Sequence, residues 1–456
     1  MAIPTGKRRS DKTIVVKRPR ETGEERRVLV IQCKFIKQPK GKIKMNEHVG
    51  KTVPIEYEQV RQAYEKVRKG GKAAGIDNES WEEFDKDREG NLYVIWNRMA
   101  SGSYHPQAVK EVEIPKKDGK KRKLGIPTLR DRIAQQVVKE YMEEKIDKLF
   151  HENSYGYRPL KSAHQALEQV RTNCYRYDWV IDMDISKFFD EIDHELMMKA
   201  VAHVMEEEWV QLYIRRWLNM PIQRKDGTTE ERQGKGTPQG GVISPLLANL
   251  YLHYALDLWL SRNYPQVSFV RYADDVVIHC GSKVEAEKVL GTVRKRLGEV
   301  KLKLKEEKTR IAYCKDYRRK ENHEIVKFEF LGFSFQPRAR KSKKDGKLFM
   351  AFTAEISQSN QKKLRDAIRD EYVWQQTQLK IEDIARSLNI KLRGWIGYYD
   401  LYSNRSLRRV LQKVDLRLIK WIRKKHKVGY RKAVLKLAVI KQENPNLFYH
   451  WQKGYA

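Results

Sequence analysis

Cysteine is scarce in this chain of 456 residues, and its few thiols are far apart. Cys33, Cys174, Cys280 and Cys314 form no Cys-x-x-Cys pair, so the sequence predicts neither a disulfide framework nor a zinc site. Runs of about 18 apolar residues and a signal-peptide core are also missing. We therefore expect a cytoplasmic protein with inert thiols and no membrane partner.

Acidic residues are too few to balance the basic ones. The chain holds 93 Lys and Arg against 60 Asp and Glu, a net charge of +33. Such a surface attracts polyanions, and counterion release favours phosphate backbones, so nucleic acid is the leading partner and a membrane surface the weaker alternative. Hydrophobic residues make up 40% and aromatic residues 10% of the chain. This is enough for packed cores in roughly three units of about 150 residues each.

Two segments concentrate the positive charge. Residues 1–50 are dominated by Lys and Arg and fit an arm on nucleic acid or a solvated tail about equally well, with a localisation signal as a third interpretation. Residues 391–456 hold 17 Lys and Arg against 3 Asp and Glu, interleaved with Trp and Tyr. Cations mixed with stacking rings are typical of an RNA-binding face, although about half of these rings are expected to point inward.

Hydrophobic periodicity predicts both helices and strands. Helices are expected over residues 55–67, 128–150, 161–175, 244–261, 284–297 and from 357 onward. Strands are expected over residues 108–114, 120–124, 179–185, 269–272, 276–278, 326–335 and 348–353. Ser244 is expected to cap its helix, with Pro245 at the first helical position.

The strands 269–272 and 276–278 are expected to form a hairpin with Asp274 and Asp275 at its turn. Adjacent carboxylates repel and raise each other's pKa, and a divalent cation relieves that repulsion. Hard oxygen ligands suit Mg²⁺, and two such ions assist phosphoryl transfer. An ordinary polar turn explains an isolated Asp-Asp pair better, so other segments must decide.

Three other segments help to decide whether Asp274 and Asp275 form a metal site or an ordinary polar turn. Asp182 and Asp184 share one face of the strand 179–185 because they have the same parity. Residues 234–241 form a glycine-dense loop before a helix, where backbone amides can meet an anion or a base pair. Six basic residues crowd 116–123, and they suit a phosphate-gripping hairpin or a merely solvated one equally well.

Taken together, Asp184, the segment Gly236-Thr-Pro-Gln-Gly-Gly-Val-Ile-Ser-Pro-Leu-Leu-Ala-Asn249 and Tyr272-Ala-Asp-Asp275 resemble the palm of a reverse transcriptase. The resemblance is closest to the reverse transcriptase/maturases of bacterial group II introns and covers roughly residues 54–430. Leu392-Arg-Gly-Trp-Ile-Gly-Tyr-Tyr399 is similar to the maturase-specific thumb of that family, which retron and diversity-generating enzymes are not expected to show. Further matching segments are Ala74–Asp77, Ile114–Lys116, Arg122–Thr128, Ser154–Pro159 and Phe330–Phe333.

The resemblance implies an α+β fold, a right hand with fingers, a palm built on an antiparallel sheet, and a helical thumb. The expected domains are a basic extension over 1–50, fingers with part of the palm over 51–175, palm over 176–336, and a thumb with the maturase-specific domain over 337–456. The cysteines of the HNH-type endonuclease that often ends such proteins are missing, so target-site cleavage is not expected. Residues 1–50 have no counterpart in the family pattern.

The resemblance also implies the metal site. Asp184, Asp274 and Asp275 would hold two Mg²⁺ ions, with the backbone of Ile185 as an extra ligand. One ion would lower the pKa of the primer 3′-hydroxyl, and both would neutralise charge during attack on the dNTP α-phosphate. Asp182 is expected to serve structure instead.

Further residues would bind substrate by the same resemblance. Lys116 and Arg122 match positions that grip the dNTP triphosphate, for which a guanidinium is well suited. Phe189 would exclude a ribose 2′-hydroxyl, while Phe188 fills the core. The remaining residues are Gln239 and Gly240, near the templating pair, and Lys308, a proton donor to pyrophosphate.

The function implied is RNA-directed DNA polymerisation, with binding of intron RNA and help in its splicing. The expected partners are an RNA template, a DNA or RNA primer, dNTPs and intron RNA, and a homodimer is compatible with the resemblance. Two alternatives remain: an RNA-binding splicing cofactor with an idle polymerase site, or a host-adopted enzyme of defence or repair. The intact acids argue against the first, and the sequence does not identify the intron.

Overall fold

A computed structural model describes residues 52–115, 121–342, 344–402 and 404–455. Lys116 and the basic extension 1–50 lie outside the described residues. The first part is mainly helical, as the apolar periodicity predicts. It contains α1 (Tyr57–Arg68), α2 (Trp81–Phe84), α3 (Arg88–Ala100), β1 (Val109–Pro115), β2 (Lys121–Ile126), α4 (Leu129–Ile146) and α5 (Ala163–Arg176).

The middle part carries the central sheet, whose strand order is β6-β7-β3-β8 with every neighbour antiparallel. This confirms the antiparallel sheet expected from the resemblance. The strands are β3 (Trp179–Asp184), β6 (Ser268–Tyr272), β7 (Asp275–Cys280) and β8 (Arg310–Tyr313). Its other elements are α6 (Phe188–Glu191), α7 (His194–Val204), α8 (Glu208–Leu218), β4 (Ile222–Gln223), β5 (Thr229–Glu230), α9 (Ser244–Leu252), α10 (Leu258–Asn263) and α11 (Lys283–Glu299).

Both faces of the central sheet are buried, which explains why its strands read as continuous apolar runs. Successive side chains point to opposite faces. Val180 and Val277 pack with α5, whereas Ile181 and Ile278 belong to the larger core that contains α9 and α11. Accessible surface remains at the charged ends of the strands, where Asp184 is half-buried and Asp275 and Arg310 are exposed.

The helix expected over 244–261 is interrupted. Residues His253–Asp257 form a π-helix between α9 and α10, a wider turn that is frequent at functional sites. Ser244 lies inside α9 and does not cap it; the residue at the cap is Ile243. The spacing of apolar residues did not indicate the π-helix, because a π-helix of five residues changes that spacing too little to be recognised in the sequence.

Two smaller sheets flank the central one. In the first, of order β2-β1-β4-β5, β1 and β2 are the antiparallel pair that the sequence predicts. The second, β11-β10-β9, consists of β9 (Phe328–Phe330), β10 (Phe333–Lys341) and β11 (Leu348–Ile356). The expected single strand 326–335 is wrong, because Leu331 and Gly332 turn the chain between β9 and β10.

From Ser357 onward the chain is helical, as predicted. The helices are α12 (Gln358–Arg369), α13 (Ile381–Tyr399), α14 (Asn404–His426), α15 (Tyr430–Glu443) and α16 (Tyr449–Gln452). Their buried leucines, isoleucines and aromatic rings form a core of their own. The expected boundary at 336–337 falls inside β10, and the helical region begins only after β11.

Candidate active site

Three carboxylates meet at one end of the central sheet. Asp184 is the last residue of β3 and lies directly opposite Asp275, the first residue of β7. Residues paired in this way have Cβ atoms about 5 Å apart. Asp274 precedes Asp275 in the turn from β6, so residues 90 positions apart in the sequence are neighbours in the structure.

Asp184 and Asp274 are half-buried and Asp275 is more exposed, and the charges of the three acids repel. The pKa of Asp275 is raised to about 7, first by loss of hydration and then by the charges of Asp274 and Asp184. The pKa of Asp274 is raised for the same reasons, with loss of hydration first. Full ionisation is therefore costly unless a cation compensates.

Two basic side chains approach the carboxylates. Lys308 Nζ lies 2.8 Å from Asp184 Oδ2, at the end of a short 3-10 turn, Glu306–Lys308. Arg122, on β2, is close enough for its charge to lower the pKa of both Asp274 and Asp275. The predicted partner of Arg122, Lys116, lies outside the described residues.

The donors present suit a hard divalent cation. Mg²⁺ prefers anionic oxygen ligands. These carboxylates are such ligands, and a bound cation would offset the repulsion by which they raise each other's pKa. Within the parts of the chain that the structure describes, no group of three or more His, Cys, Asp or Glu side chains is already arranged around a metal position. One reason is visible, since Asp184 is paired with Lys308.

The carbonyl of Ile185 takes no part in the hydrogen bonds of the β-bridge that Ile185 forms. Ile185 faces Leu304 in a single antiparallel bridge. The hydrogen bonds of this bridge come from the flanking residues: Lys305 N–H donates to Asp184 O (2.8 Å) and Ser186 N–H donates to Lys303 O (2.8 Å). The role predicted for Ile185 is therefore compatible with the backbone geometry.

Asp182 lies on the same strand and opens into the same space. Its pKa is raised to about 7, mainly by burial, and Arg310 Nε lies 3.4 Å from its Oδ2. Together with Asp184, Asp275, Lys308 and the segment 324–332, these side chains line a cavity of about 590 Å³. Asp182 is thus part of the cavity wall as well as of the strand.

The glycine loop packs between β2 and α6. Gly125 N–H donates to Gln239 O (3.1 Å), and a Cβ on Gly240 would lie 2.7 Å from Gly125 O. Gly240 has a φ of +137°, which few other residues adopt. The side chain of Gln239 donates to Asp190 Oδ1 (3.3 Å), while its own Oε1 is buried without a partner among the described residues.

The two phenylalanines differ in burial. Phe188 is 2% exposed and belongs to the main core, whereas Phe189 is only partly buried at the edge of that core. Phe189 O accepts a hydrogen bond from Thr237 N–H in the glycine loop (2.8 Å). The core role expected for Phe188 agrees with this arrangement, and Phe189 has an edge available to a ligand.

A buried network that sequence reasoning missed holds the Asp274 turn. Arg271 donates to both carboxylate oxygens of Asp257 (2.8 and 2.5 Å), to Asn249 Oδ1 (2.8 Å) and to Ala273 O (3.2 Å). Asp257 is the last residue of the π-helix. The signal available in the sequence was an arginine inside an otherwise apolar strand.

The loop 154–159 buttresses the same turn from outside. Tyr155 N–H donates to Arg271 O (2.8 Å), and Asn249 Nδ2 donates to Gly156 O (2.7 Å). A Cβ at Gly156 would lie 2.4 Å from Ala273 N. Only glycine therefore fits between this loop and the turn.

Comparison with known proteins assigns these elements to a family. Residues 114–335 match the family described as "Reverse transcriptase (RNA-dependent DNA polymerase)", and residues 361–438 match "Group II intron, maturase-specific domain". Protein YkfC of Escherichia coli is 34% identical over 285 residues, which cover 54% of this chain and 74% of YkfC. The chain belongs to the group II intron reverse transcriptases.

This group II intron reverse transcriptase is also similar to the group II intron-encoded protein LtrA of Lactococcus lactis subsp. cremoris. The two are 26% identical over 455 residues, covering 80% of this chain and 72% of LtrA. Among solved structures, telomerase from Candida albicans in complex with a fragment of telomeric RNA matches 81% of this chain and 67% of that chain, with 11% identity and a TM-score of 0.43. So low a score adds nothing to the assignment.

The family assignment confirms the reverse transcriptase fold and the RNA-directed DNA polymerase activity expected from the resemblance. Reverse transcriptases use divalent metal ions, which agrees with the carboxylate chemistry described above. None of the described helices of this group II intron reverse transcriptase is both long enough and apolar enough to cross a bilayer.

Proposed function

We propose that this chain copies RNA into DNA with Asp184, Asp274 and Asp275 as the ligands of two Mg²⁺ ions. The observation that carries the proposal is the register of β3 and β7, which sets Asp184 opposite Asp275. When bound, the ions would lower the pKa of the primer 3′-hydroxyl and offset charge on the α-phosphate. The Ile185 carbonyl is proposed as an additional ligand.

The remaining residues bind and orient the substrates in this proposal. Arg122 and Lys116 hold the triphosphate of the incoming dNTP, and Phe189 lies against its sugar. The glycine loop at Gln239 and Gly240 supports the templating base. The primer oxygen forms a bond to the α-phosphorus, the bond to pyrophosphate breaks, and Lys308 supplies a proton to the departing pyrophosphate.

We also propose that the helical region after Ser357 is the thumb and that it binds RNA, including intron RNA during splicing. The segment matched by the maturase-specific family supports this role. One groove between α12 and α14, of about 440 Å³, is strongly basic and is called the thumb groove here. It is lined by Arg365, Asp366, Ile368, Arg369, Lys413, Leu416, Arg417, Lys420, Arg423 and Tyr430.

We propose a division into fingers, palm and thumb in the order that the sequence predicts, but with the thumb beginning at Ser357 instead of residue 337, because β10 and β11 form one continuous hairpin. A cytoplasmic location is proposed because RNA templates and dNTPs are present there.

Extension of an annealed DNA primer on an RNA template, with the four dNTPs and Mg²⁺, tests the polymerase proposal. The full chain is expected to extend the primer, and extension should stop when EDTA removes the metal. If the chain binds primer–template but incorporates no dNTP, the splicing cofactor with an idle polymerase site becomes the better account.

A further inference from the structure

The turn between β9 and β10 forms one wall of the cavity that contains Asp184 and Asp275. Its two residues, Leu331 and Gly332, have positive φ values of +47° and +81°. A non-glycine residue pays a conformational cost of about 1 kcal/mol or more in this region. The surrounding structure must therefore hold the turn in place.

Hydrogen bonds to both carbonyls of the turn hold it. Gly332 O accepts from Asn360 Nδ2 (3.1 Å) and from Ser357 N–H (3.0 Å) at the start of α12. Leu331 O accepts from the hydroxyl of Tyr398 (2.9 Å). Tyr398 lies on α13, so a helix of the maturase-specific segment reaches the cavity wall directly.

Tyr398 is itself fixed from two sides. Its carbonyl is hydrogen-bonded to Nε2 of His164 on α5 (3.0 Å), and the two rings lie 5.5 Å apart. Its ring also lies 5.9 Å from that of Phe333, the residue after the turn. Three separate parts of the chain, α5, the β9–β10 turn and α13, therefore meet at this one side chain.

The hydroxyl of Tyr398 stays a donor throughout the working pH range. Burial, followed by the charges of Tyr399, Tyr272 and Asp275, raises its pKa to about 12. The ring packs against the same small core as Tyr272 of the Tyr-Ala-Asp-Asp hairpin and Leu331 of the turn. A permanent donor at this position suits a positioning role.

We propose that Tyr398 is a positioning residue for the primer: its hydroxyl holds the Leu331–Gly332 turn at the position where the turn supports the primer 3′ end beside Asp184 and Asp275. This inference rests on the proposed polymerase function. It differs from plain packing, because packing would need only the ring of Tyr398 and not its oxygen.

The chain offers a matched control for the oxygen. Tyr399 is adjacent on α13, and its ring lies 5.5 Å from the same Phe333. Among the described residues, its hydroxyl has no hydrogen-bond partner. The Tyr399 hydroxyl lies near the turn, 3.6 Å from where a Cβ on Gly332 would be, but it donates no hydrogen bond to it. Tyr399→Phe therefore removes a hydroxyl from the same helix and the same aromatic contact without removing a hydrogen bond to the turn.

The test compares Tyr398→Phe with Tyr399→Phe in steady-state primer extension. Loss of one hydrogen bond of ordinary strength changes an equilibrium by about fivefold. We expect KM for primer–template to rise by about fivefold in Tyr398→Phe, with KM for dNTP unchanged and Tm lowered by about 2 °C at most, and no change in Tyr399→Phe. An unchanged primer–template KM in Tyr398→Phe, or an equal rise in both variants, would overturn the proposal.

A binding measurement separates this inference from the polymerase proposal. A primer with 2-aminopurine at its 3′ end reports the stacking of that base in the binary complex, without any chemistry. Tyr398→Phe should change the fluorescence of bound primer and Tyr399→Phe should not; identical spectra would overturn the role of Tyr398 even in an inactive chain. Gly332→Ala gives a second test, since its Cβ would lie 2.2 Å from Asn360 Nδ2 and displace the turn independently; it should also change the fluorescence of bound primer, and an unchanged signal would overturn the proposal.

Discussion

Arg271 and Asp257 form an ion pair in which neither side chain has exposed surface. Two hydrogen bonds, of 2.8 and 2.5 Å, join the guanidinium to the carboxylate. The same guanidinium reaches Ala273 O, one residue before Asp274. The position of the turn that carries Asp274 thus depends on a carboxylate supplied by the π-helix.

Asp257→Asn should destabilise the protein strongly, because it leaves the buried guanidinium of Arg271 without its counter-charge. Removing one partner of a buried pair typically costs 3–5 kcal/mol. We expect a clear fall in Tm, measured by thermal unfolding, and a parallel loss of primer extension. Arg61→Met, which breaks an exposed pair with Glu58, is the control and should change stability by less than about 0.5 kcal/mol. Equal Tm values for the two variants would contradict this expectation.

Asp274→Asn should abolish primer extension and leave RNA affinity nearly intact. The substitution preserves the size of the side chain but removes the charge proposed to bind the metal. Single-turnover extension and RNA binding by filter retention measure the two properties separately. Glu65→Gln, on the exposed side of α1, should leave both unchanged. Extension by Asp274→Asn at near the unmutated rate would remove Asp274 from the metal site.

Phe189→Ala should admit ribonucleotides, because the ring proposed to exclude the 2′-hydroxyl is gone. The ratio of kcat/KM for dNTP to that for rNTP measures the change. Phe188→Ala is the informative comparison. Removing this buried ring creates a cavity, which typically costs about 3–5 kcal/mol of stability, and should leave the sugar selectivity unchanged. Unchanged discrimination in Phe189→Ala would mean that Phe189 only packs.

His279 should make the protein less stable in mild acid. Complete burial lowers its pKa to about 3, whereas an unfolded histidine titrates near 6.5. Between these values the unfolded chain binds a proton that the folded chain does not, so stability falls as the pH drops below about 6.5. In His279→Gln the dependence of unfolding free energy on pH between 6.5 and 5 should be shallower by up to about 1.4 kcal/mol per pH unit. Equal slopes would show that His279 is not the group responsible.

The thumb groove should contribute to RNA binding through phosphate contacts. Each contact releases counterions, so losing one lowers the slope of log K against log salt by about 0.7 for a single strand and 0.9 for a duplex. Lys420→Gln and Arg423→Gln should each show such a reduction in a salt titration of RNA affinity. Lys86→Gln, an exposed residue after α2, should not. Slopes equal to that of the unmutated chain would place the RNA elsewhere.

The sequence predicts the reacting groups better than their support. Asp184, Asp274 and Asp275 lie in short linear motifs at the ends of apolar runs, and the family resemblance implied both that they meet and that the sheet is antiparallel; the pairing of β3 with β7 brings them together. The helical region after Ser357 follows from periodicity. Residue roles in substrate binding came only from the family resemblance and still require the experiments above.

The support was missed because it is not local. Arg271 is hydrogen-bonded to Asp257, 14 residues away in the sequence, and to Asn249, 22 residues away. Hydrophobic periodicity does not predict contacts between polar residues at such separations. The π-helix was not predicted for a related reason: it changes the direction of side chains along the helix without changing which residues are apolar. The Leu331–Gly332 turn was hidden inside a run that reads as one strand, and only its glycine hinted at a reversal.

Gly156 has a consequence for motion in the molecule. A Cβ at Gly156 would lie 2.4 Å from Ala273 N, and hydrogen bonds from Tyr155 N–H to Arg271 O and from Arg271 N–H to Asn153 O join the two backbones. We therefore expect the loop 154–159 and the hairpin that carries the acids to move together, so that widening of the cleft occurs elsewhere. The geometry of the three carboxylates can thereby stay constant from one nucleotide addition to the next.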